Sequence, residues 1–501
     1  MTRAFLIGLW LLAAASSASA QVDLSGEWAP RFWEDQPERV PGPELGDYLG
    51  IPISEAARFR ADTWSASIMT LPEWQCRPHS ADYIWRGPSP LTITKDIDPV
   101  SREVVAFNLE WLRSVRRPIY LDGRPHPGTN APHTWAGFST ATWRGDVLVV
   151  TTTHLKEGYL RRNGLPRSDA ATLTEYFIRN DDILTVVTMI HDPVYLTETF
   201  VRTTDYELDL RQRVPPYPCH VVEEIDRPRG AIPHQWPASA VSSEEYAKAH
   251  HLPVAAVRGG AQTMYPRPME GMAFAKADTA PAVTPERPVD LAGQWMSVVT
   301  EDWRWRMVTP PVGDVSSVPL NAAGRAQASQ WNAAADEAGG QACRAYGAGG
   351  VMRLPGQIRF SWTDDNQLQL ETETGTQTRR LLFGSAGSAA SPSLQGTSTA
   401  QWIRPGRPTR GAAPATGGQL RVVTTQMTPG YLRKNGVPYS AQARLTEYFN
   451  RVDDPETGES WLVVIQVVDD PTYLNQRFFT SSHFKKVTDS TPWQPSACTA
   501  R

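Results

Sequence analysis

The chain is an internal duplication, and that constrains its architecture before any other feature. Asp23-Leu-Ser-Gly-Glu-Trp28 recurs as Asp290-Leu-Ala-Gly-Gln-Trp295, Trp64 as Trp331, and Cys76-Arg77 as Cys343-Arg344, all at one spacing. Further along, GYLRRNGLPRSDAATLTEYF from Gly158 returns as GYLRKNGVPYSAQARLTEYF from Gly430. Asp192-Pro-Val-Tyr195 then returns as Asp470-Pro-Thr-Tyr473. Order is kept throughout, and the spacing drifts only where loops change length. A chain of 501 residues exceeds what one hydrophobic core organises, so each copy is read as its own domain. The boundaries are 21–220 for the first copy and 289–501 for the second, which is degenerate. Between them, 221–288 is a linker rich in Pro, Ala and Gly, with a short helix expected over Ser243–His250.

Within the first copy the pattern is strand after strand. Runs rich in β-branched and aromatic residues cover 91–96, 103–111, 138–143, 147–155, 172–179, 183–190 and 197–208. Trp143-Arg-Gly-Asp146 and Asn180-Asp-Asp182 are tight hairpin signals between such runs. One short helix is expected, over Ser54-EAARFRADTW, with Ser54 as its N-cap. Seven or more hairpin-linked strands close into a barrel or sandwich, because closure removes exposed edges. The expected fold is therefore mainly β: two tandem antiparallel barrels with a short helix each.

At the N-terminus, Arg3, the apolar run Ala4–Ala15 and the small residues Ala18-Ser19-Ala20 have the layout of a secretory signal peptide over 1–20. The expected location is periplasmic or secreted. The apolar run is too short to span a bilayer, and no later stretch is longer. Four cysteines allow three pairings. The repeat matches Cys76 with Cys343 and Cys219 with Cys498, which selects Cys76–Cys219 and Cys343–Cys498 as two intradomain disulfides. Forty-nine basic against 53 acidic side chains leave a net charge of −4, with no basic stripe for nucleic acid or a membrane surface.

Gly26-x-Trp28 and Gly293-x-Trp295 resemble the opening Gly-x-Trp of lipocalin-type (calycin) barrels. That resemblance implies a Trp closing one barrel end beneath a basic residue of the last strand. Arg202 would take that part in the first copy; its counterpart in the second is Thr480. The stretches IYLDGRPHP (119–127), GFSTATWRGDVLVVTTT (137–153), GLPRSDAATLTEYF (164–177) and HDPVYL (191–196) resemble a functionally uncharacterised secreted bacterial family with lipocalin-like repeats. Phe138 stands where that pattern often has His. The resemblance implies fold and secretion, and supplies no reaction.

The two copies act as a control on each other. Residues in both, such as Tyr159/Tyr431, Arg161/Arg433, Asn163/Asn435, Glu175/Glu447 and Asp192/Asp470, are expected to serve the scaffold, with Arg161 and Glu175 as a possible ion pair. Residues in one copy only are freer to serve a site. Nine of the ten histidines lie at or before His251; His79 becomes Tyr346, His154 becomes Gln426 and His191 becomes Asp469. Histidine is the usual general acid or base near neutral pH and a common metal ligand. Asp122, His126, His133 and His154 could converge on a cation, but no HExxH or CxxC spacing stands behind a metal site. Nucleophile-elbow, dinucleotide and haem motifs are absent, so no cofactor is expected.

These residues point to a small apolar or phenolic ligand in the first barrel. Trp85, Trp111, Trp135 and Trp143, with Asp122, are the candidate ligand-binding residues. If the site is catalytic, His126, His133, His154, Tyr159, Arg161 and Glu175 are the candidates for cofactor-free lyase, hydratase or isomerase chemistry. Carotenoid 1,2-hydratase is an analogy for such chemistry on a lipocalin-like fold. The alternatives are a carbohydrate-binding or carbohydrate-active envelope protein, and a non-catalytic structural or interaction protein. The position of the tryptophans separates them: in a cavity, on an open ridge, or in solid core.

Overall fold

A computed structural model describes residues 22–31, 42–112, 114–220, 222, 225–236, 241–277, 283–284, 287–384, 391–404 and 417–501. The expected signal segment 1–20 lies outside the described residues, as does 385–390, most of the second-copy stretch (384–393) that takes the place of the Asp122–His133 segment in the sequence. The first copy contributes β1 (Gly26–Arg31), β2 (Leu91–Ile97), β3 (Val104–Glu110), β4 (Arg117–Tyr120), β5 (Phe138–Arg144), β6 (Val147–Thr153), β7 (Gly158–Arg161), β8 (Leu165–Arg167), β9 (Thr172–Asn180), β10 (Ile183–His191) and β11 (Phe200–Leu208). The second contributes β12 (Gly293–Val298), β13 (Gln357–Asp364), β14 (Gln367–Thr372), β15 (Thr378–Phe383), β16 (Thr397–Ile403), β17 (Gln419–Thr425), β18 (Gly430–Arg433), β19 (Val437–Tyr439), β20 (Arg444–Asp453), β21 (Ser460–Asp469) and β22 (Phe478–Lys486).

Two closed barrels result, ordered β1-β11-β10-β9-β6-β5-β4-β3-β2 and β12-β13-β14-β15-β16-β17-β20-β21-β22. Hairpins β7-β8 and β18-β19 stand outside them. The expected tandem β-barrels are what the chain forms. Each has nine strands, where a lipocalin has eight, and each includes one parallel pair, β4 with β5 and β15 with β16. The turn signals act as expected: Gly145 (φ +62°) and Asp181 (φ +53°) take left-handed conformations between β5 and β6 and between β9 and β10. The expected helix is Glu55–Asp62, and Ser54 accepts from the Ala57 amide. The second copy carries more helix than expected, at Trp303–Arg306, Ala322–Ser329 and Ala333–Ala338. Cys76–Cys219 and Cys343–Cys498 are both bonded, with Cα separations of 5.5 and 5.1 Å.

Each barrel interior holds a cluster of buried side chains. Trp28, Trp85, Phe107, Leu148, Phe177 and Tyr206 fill the first with aliphatic neighbours, and Trp295, Phe360, Phe449 and Phe484 fill the second. Trp28 and Trp295 donate to the Leu24 and Leu291 carbonyls at 3.0 and 2.9 Å. The guanidinium over Trp28 belongs to Arg179, 5.3 Å away, not to Arg202 as the lipocalin analogy implied. Arg202 lies elsewhere, donating to the Asp82 carbonyl and 4.0 Å from Glu301. In the second copy, Lys486 stands 5.6 Å over Trp295.

The barrels pack on each other through the outward side chains of β9 to β11 and β20 to β22. Val187, Met189, Val201, Trp461, Val463, Ile465 and Phe479 form one cluster with Met264 and Tyr265 of the linker. The linker is thus part of a core, through helices Ser242–Ala249 and Val254–Val257 and these two side chains. Of two adjacent carboxylates, one joins the copies and the other holds the second copy's own arginine. Glu301 pairs with Arg86 and lies 3.5 Å from Arg161. Asp302 lies 2.6 Å from Arg353, which matches Arg86 in the repeat.

Candidate functional site

Glu175 and Arg161 do not pair. Glu175, with no exposed surface, accepts a two-pronged contact from Arg117 inside the barrel, with Nη1 at 3.1 Å from Oε1. Trp85 Nε1 donates to the same Oε1 at 2.5 Å, and Thr152 and Ser139 accept from two further Arg117 N–H groups. The second barrel repeats this arrangement: Arg379 grips Glu447, and Thr424 and Gln466 complete it. Arg161 is buried at the barrel end, donating to the Asp47 carboxylate at 2.9 Å and its carbonyl at 3.1 Å. Asn163 and Asn435 hold the equivalent turns, donating to the Asp47 and Asp314 carbonyls at 2.7 and 2.9 Å. Asp192 and Asp470 cap their own turns by accepting from the Val194 and Tyr195 amides and from the Thr472 amide, and each also accepts from a serine hydroxyl, Ser168 and Ser440.

His126, His133 and His154 do come together, but as clasps on the loop before β5. His126 bonds Thr153 and Thr140, each at 2.8 Å. His154 bonds the same Thr153 hydroxyl at 2.7 Å and the Gly128 carbonyl at 3.0 Å. His133 bonds the Leu155 carbonyl at 3.0 Å, its ring 5.2 Å from that of His154. Burial, and His154 nearby, lower the His126 imidazole below its ordinary pKa. His154 has φ +58° and Gln426, its counterpart, +56°, so the backbone there is the same whichever side chain it carries. Asp122 is exposed and pairs with Arg124 at 2.9 Å. Among the described residues no three His, Cys, Asp or Glu side chains are grouped to hold a metal ion.

Of the four tryptophans expected to line a cavity, three do not. Trp85 is wholly buried, and Trp111 is packed on Gly87, with its indole N–H on the Ser89 carbonyl at 3.0 Å. Trp143 is half-buried against the same core. Trp135 does line a pocket. It lies outside the barrel interior, where the 69–83 segment meets β7, and Met69, Trp74, Arg77, Pro78, His79, Ser80, Tyr83, Gly158, Tyr159 and Arg162 form the rest of its wall.

The pocket encloses about 40 Å³, room for a few waters or one small group, so a ligand enters it head first. Arg77 is sandwiched between indoles, 4.1 Å over Trp74 and 4.4 Å over Trp135. Trp74 lies 5.3 Å from the Tyr159 ring, and His79 stacks on Tyr83 at 4.7 Å. Burial pushes the Tyr159 hydroxyl well above its ordinary pKa, so it keeps its proton and acts as a donor. Two residues expected at the site, Trp135 and Tyr159, are therefore here, and His79 is the imidazole beside them. Trp74, Arg77, Tyr83 and Arg162 were not anticipated. The one signal for them was that His79 belongs to the set lost in the second copy.

The chain matches no family model, no curated protein and no solved structure.

Proposed function

We propose that this is an exported binding protein whose first copy holds a small planar, aromatic ligand in the pocket beneath Trp74, Trp135, Tyr83 and Tyr159, beside the barrel rather than inside it. The observation that carries this is the pocket wall itself: aromatic faces with a few placed polar groups, the composition typical of small-molecule sites. Export draws support from the two disulfides, which suit an oxidising compartment. If the site also performs acid–base chemistry, His79 is the imidazole that lines it, whereas His126, His133 and His154 are engaged in holding a loop. The sugar-binding alternative draws little support. Among the described residues the exposed large hydrophobics include one tryptophan, Trp236, which makes no ridge.

A ligand-observed NMR screen with single-ring aromatic fragments tests the proposal. Fragments should bind the native protein with micromolar to millimolar affinity and lose binding in Trp135→Ala. Binding that survives Trp135→Ala unchanged places the ligand elsewhere.

A further inference from the structure

The second copy shows what this place holds when the chain fills it with its own side chain. Arg344 matches Arg77, Tyr431 matches Tyr159, and Asp336 matches Met69, because Trp64–Cys76 and Trp331–Cys343 are segments of equal length. In the first copy Met69 lines the pocket. In the second, Tyr431 donates from its hydroxyl to Asp336 Oδ2 at 2.8 Å, and Arg344 Nη1 donates to Oδ1 at 3.3 Å. The Arg344 guanidinium lies 4.4 Å over the Tyr431 ring. A carboxylate therefore takes one bond from the tyrosine and one from the arginine. The first copy keeps both donor residues and replaces the carboxylate by a thioether.

The rest of the pocket suits a negative guest. Arg77 and Arg162 are in its wall, and none of the lining residues is acidic. Beneath Gly158 lies the buried Arg167, which is not part of the wall and pairs with Asp82 at 3.3 Å. Burial lowers the Arg77 guanidinium from its ordinary pKa, a shift that a bound anion would reverse.

We propose that the first-copy pocket takes a small aromatic carboxylate, its carboxylate standing where that of Asp336 stands in the second copy, with Arg77 and Tyr159 as donors. This rests on the reading of the pocket as an aromatic-ligand site and names the charge that the ligand carries. The indoles on either side of Arg77 fix the plane of its guanidinium, and the ligand's ring stacks at the mouth.

Benzoate and its neutral relative benzyl alcohol, titrated calorimetrically against the native protein at pH 7, test this directly. Benzoate should bind about tenfold or more tightly, the value of charge-assisted hydrogen bonds over neutral ones. Tyr159→Phe should weaken benzoate several-fold and leave benzyl alcohol unchanged. Met69→Asp should rebuild the second copy's arrangement and abolish benzoate binding, while Met69→Leu keeps it. Equal affinity for the two probes, or full benzoate binding by a folded Met69→Asp protein, overturns the carboxylate and leaves the aromatic pocket standing. Absence of binding by both probes overturns the aromatic-ligand reading with it.

Discussion

Glu175 and Glu447 are carboxylates without access to water, each held by an arginine fork and one further donor. In the first barrel that donor is Trp85; in the second, Met352 stands at the matching position, and Gln466, in place of Thr188, supplies the bond instead. Removing one partner of such a pair leaves a buried charge uncompensated, at a cost of about 3–5 kcal/mol. Glu175→Ala and Glu447→Ala should each lower stability by that amount in urea titrations; a loss below about 1 kcal/mol for either would remove the pair from the scaffold. Presence in both copies picked out this buried pair of carboxylates, though it also covers Tyr159 and Arg77, which line the pocket. It could not name partners, because Arg117 lies far from Glu175 in the chain and spacing does not reveal it. The same control set aside four histidines, which fall in two places. His126, His133 and His154 clasp the loop before β5, whereas His79 lines the pocket.

The barrel strands were legible because their signals are local: alternation, β-branched residues and turn glycines act within a few residues. Boundaries moved where backbone geometry intervened, as where β6 ends at Thr153 because His154 turns left-handed. Hairpin β7-β8 was not anticipated as strand, since its Asn-Gly turn joins segments of four and three residues only. That hairpin is nonetheless a fixed element. Gly164 (φ +96°) and Gly436 (φ +83°) sit where a methyl group would come within 2.5 and 2.2 Å of Trp64 and Trp331. The shared tryptophan and the shared glycine are thus two halves of one contact. Gly164→Ala and Gly436→Ala should each cost about 1–3 kcal/mol through overpacking and left-handed strain, read as matched shifts of the denaturation midpoint. A neutral result at either glycine would show that the hairpin can lift off its tryptophan. The pocket, by contrast, had no local signature. Its wall gathers residues from 69–83, 135 and 158–162, which are far apart in the chain.

The two copies form one body, and this too had a trace in the chain. β10 (ILTVVTMIH) and β21 (SWLVVIQVVD) are apolar on both faces rather than alternating, and both are buried nearly throughout. A strand covered on both sides needs a second layer, and here that layer is the other barrel. Among the titratable groups inside the contact is a histidine. His483 of β22 is buried, its Nε2 2.7 Å from the Thr203 hydroxyl of the first barrel. Burial first, and then the charges of Arg306 and Arg353, push its pKa from 6.5 down to about 3. A folded-state value below the unfolded one means that the unfolded chain binds the extra proton. The contribution is therefore complete above pH 6.5 and is lost as pH falls from there towards 3. At pH 4.5 the deficit is about 3 kcal/mol, at roughly 1.4 kcal/mol per unit. His483→Gln keeps a donor for Thr203 and cannot titrate. Between pH 7 and 4.5 the native protein should lose about 3 kcal/mol more stability than this variant in urea titrations. Carboxylate protonation is common to both and cancels in the difference. Parallel losses would mean that the barrels part, or admit water to His483, before it takes up its proton.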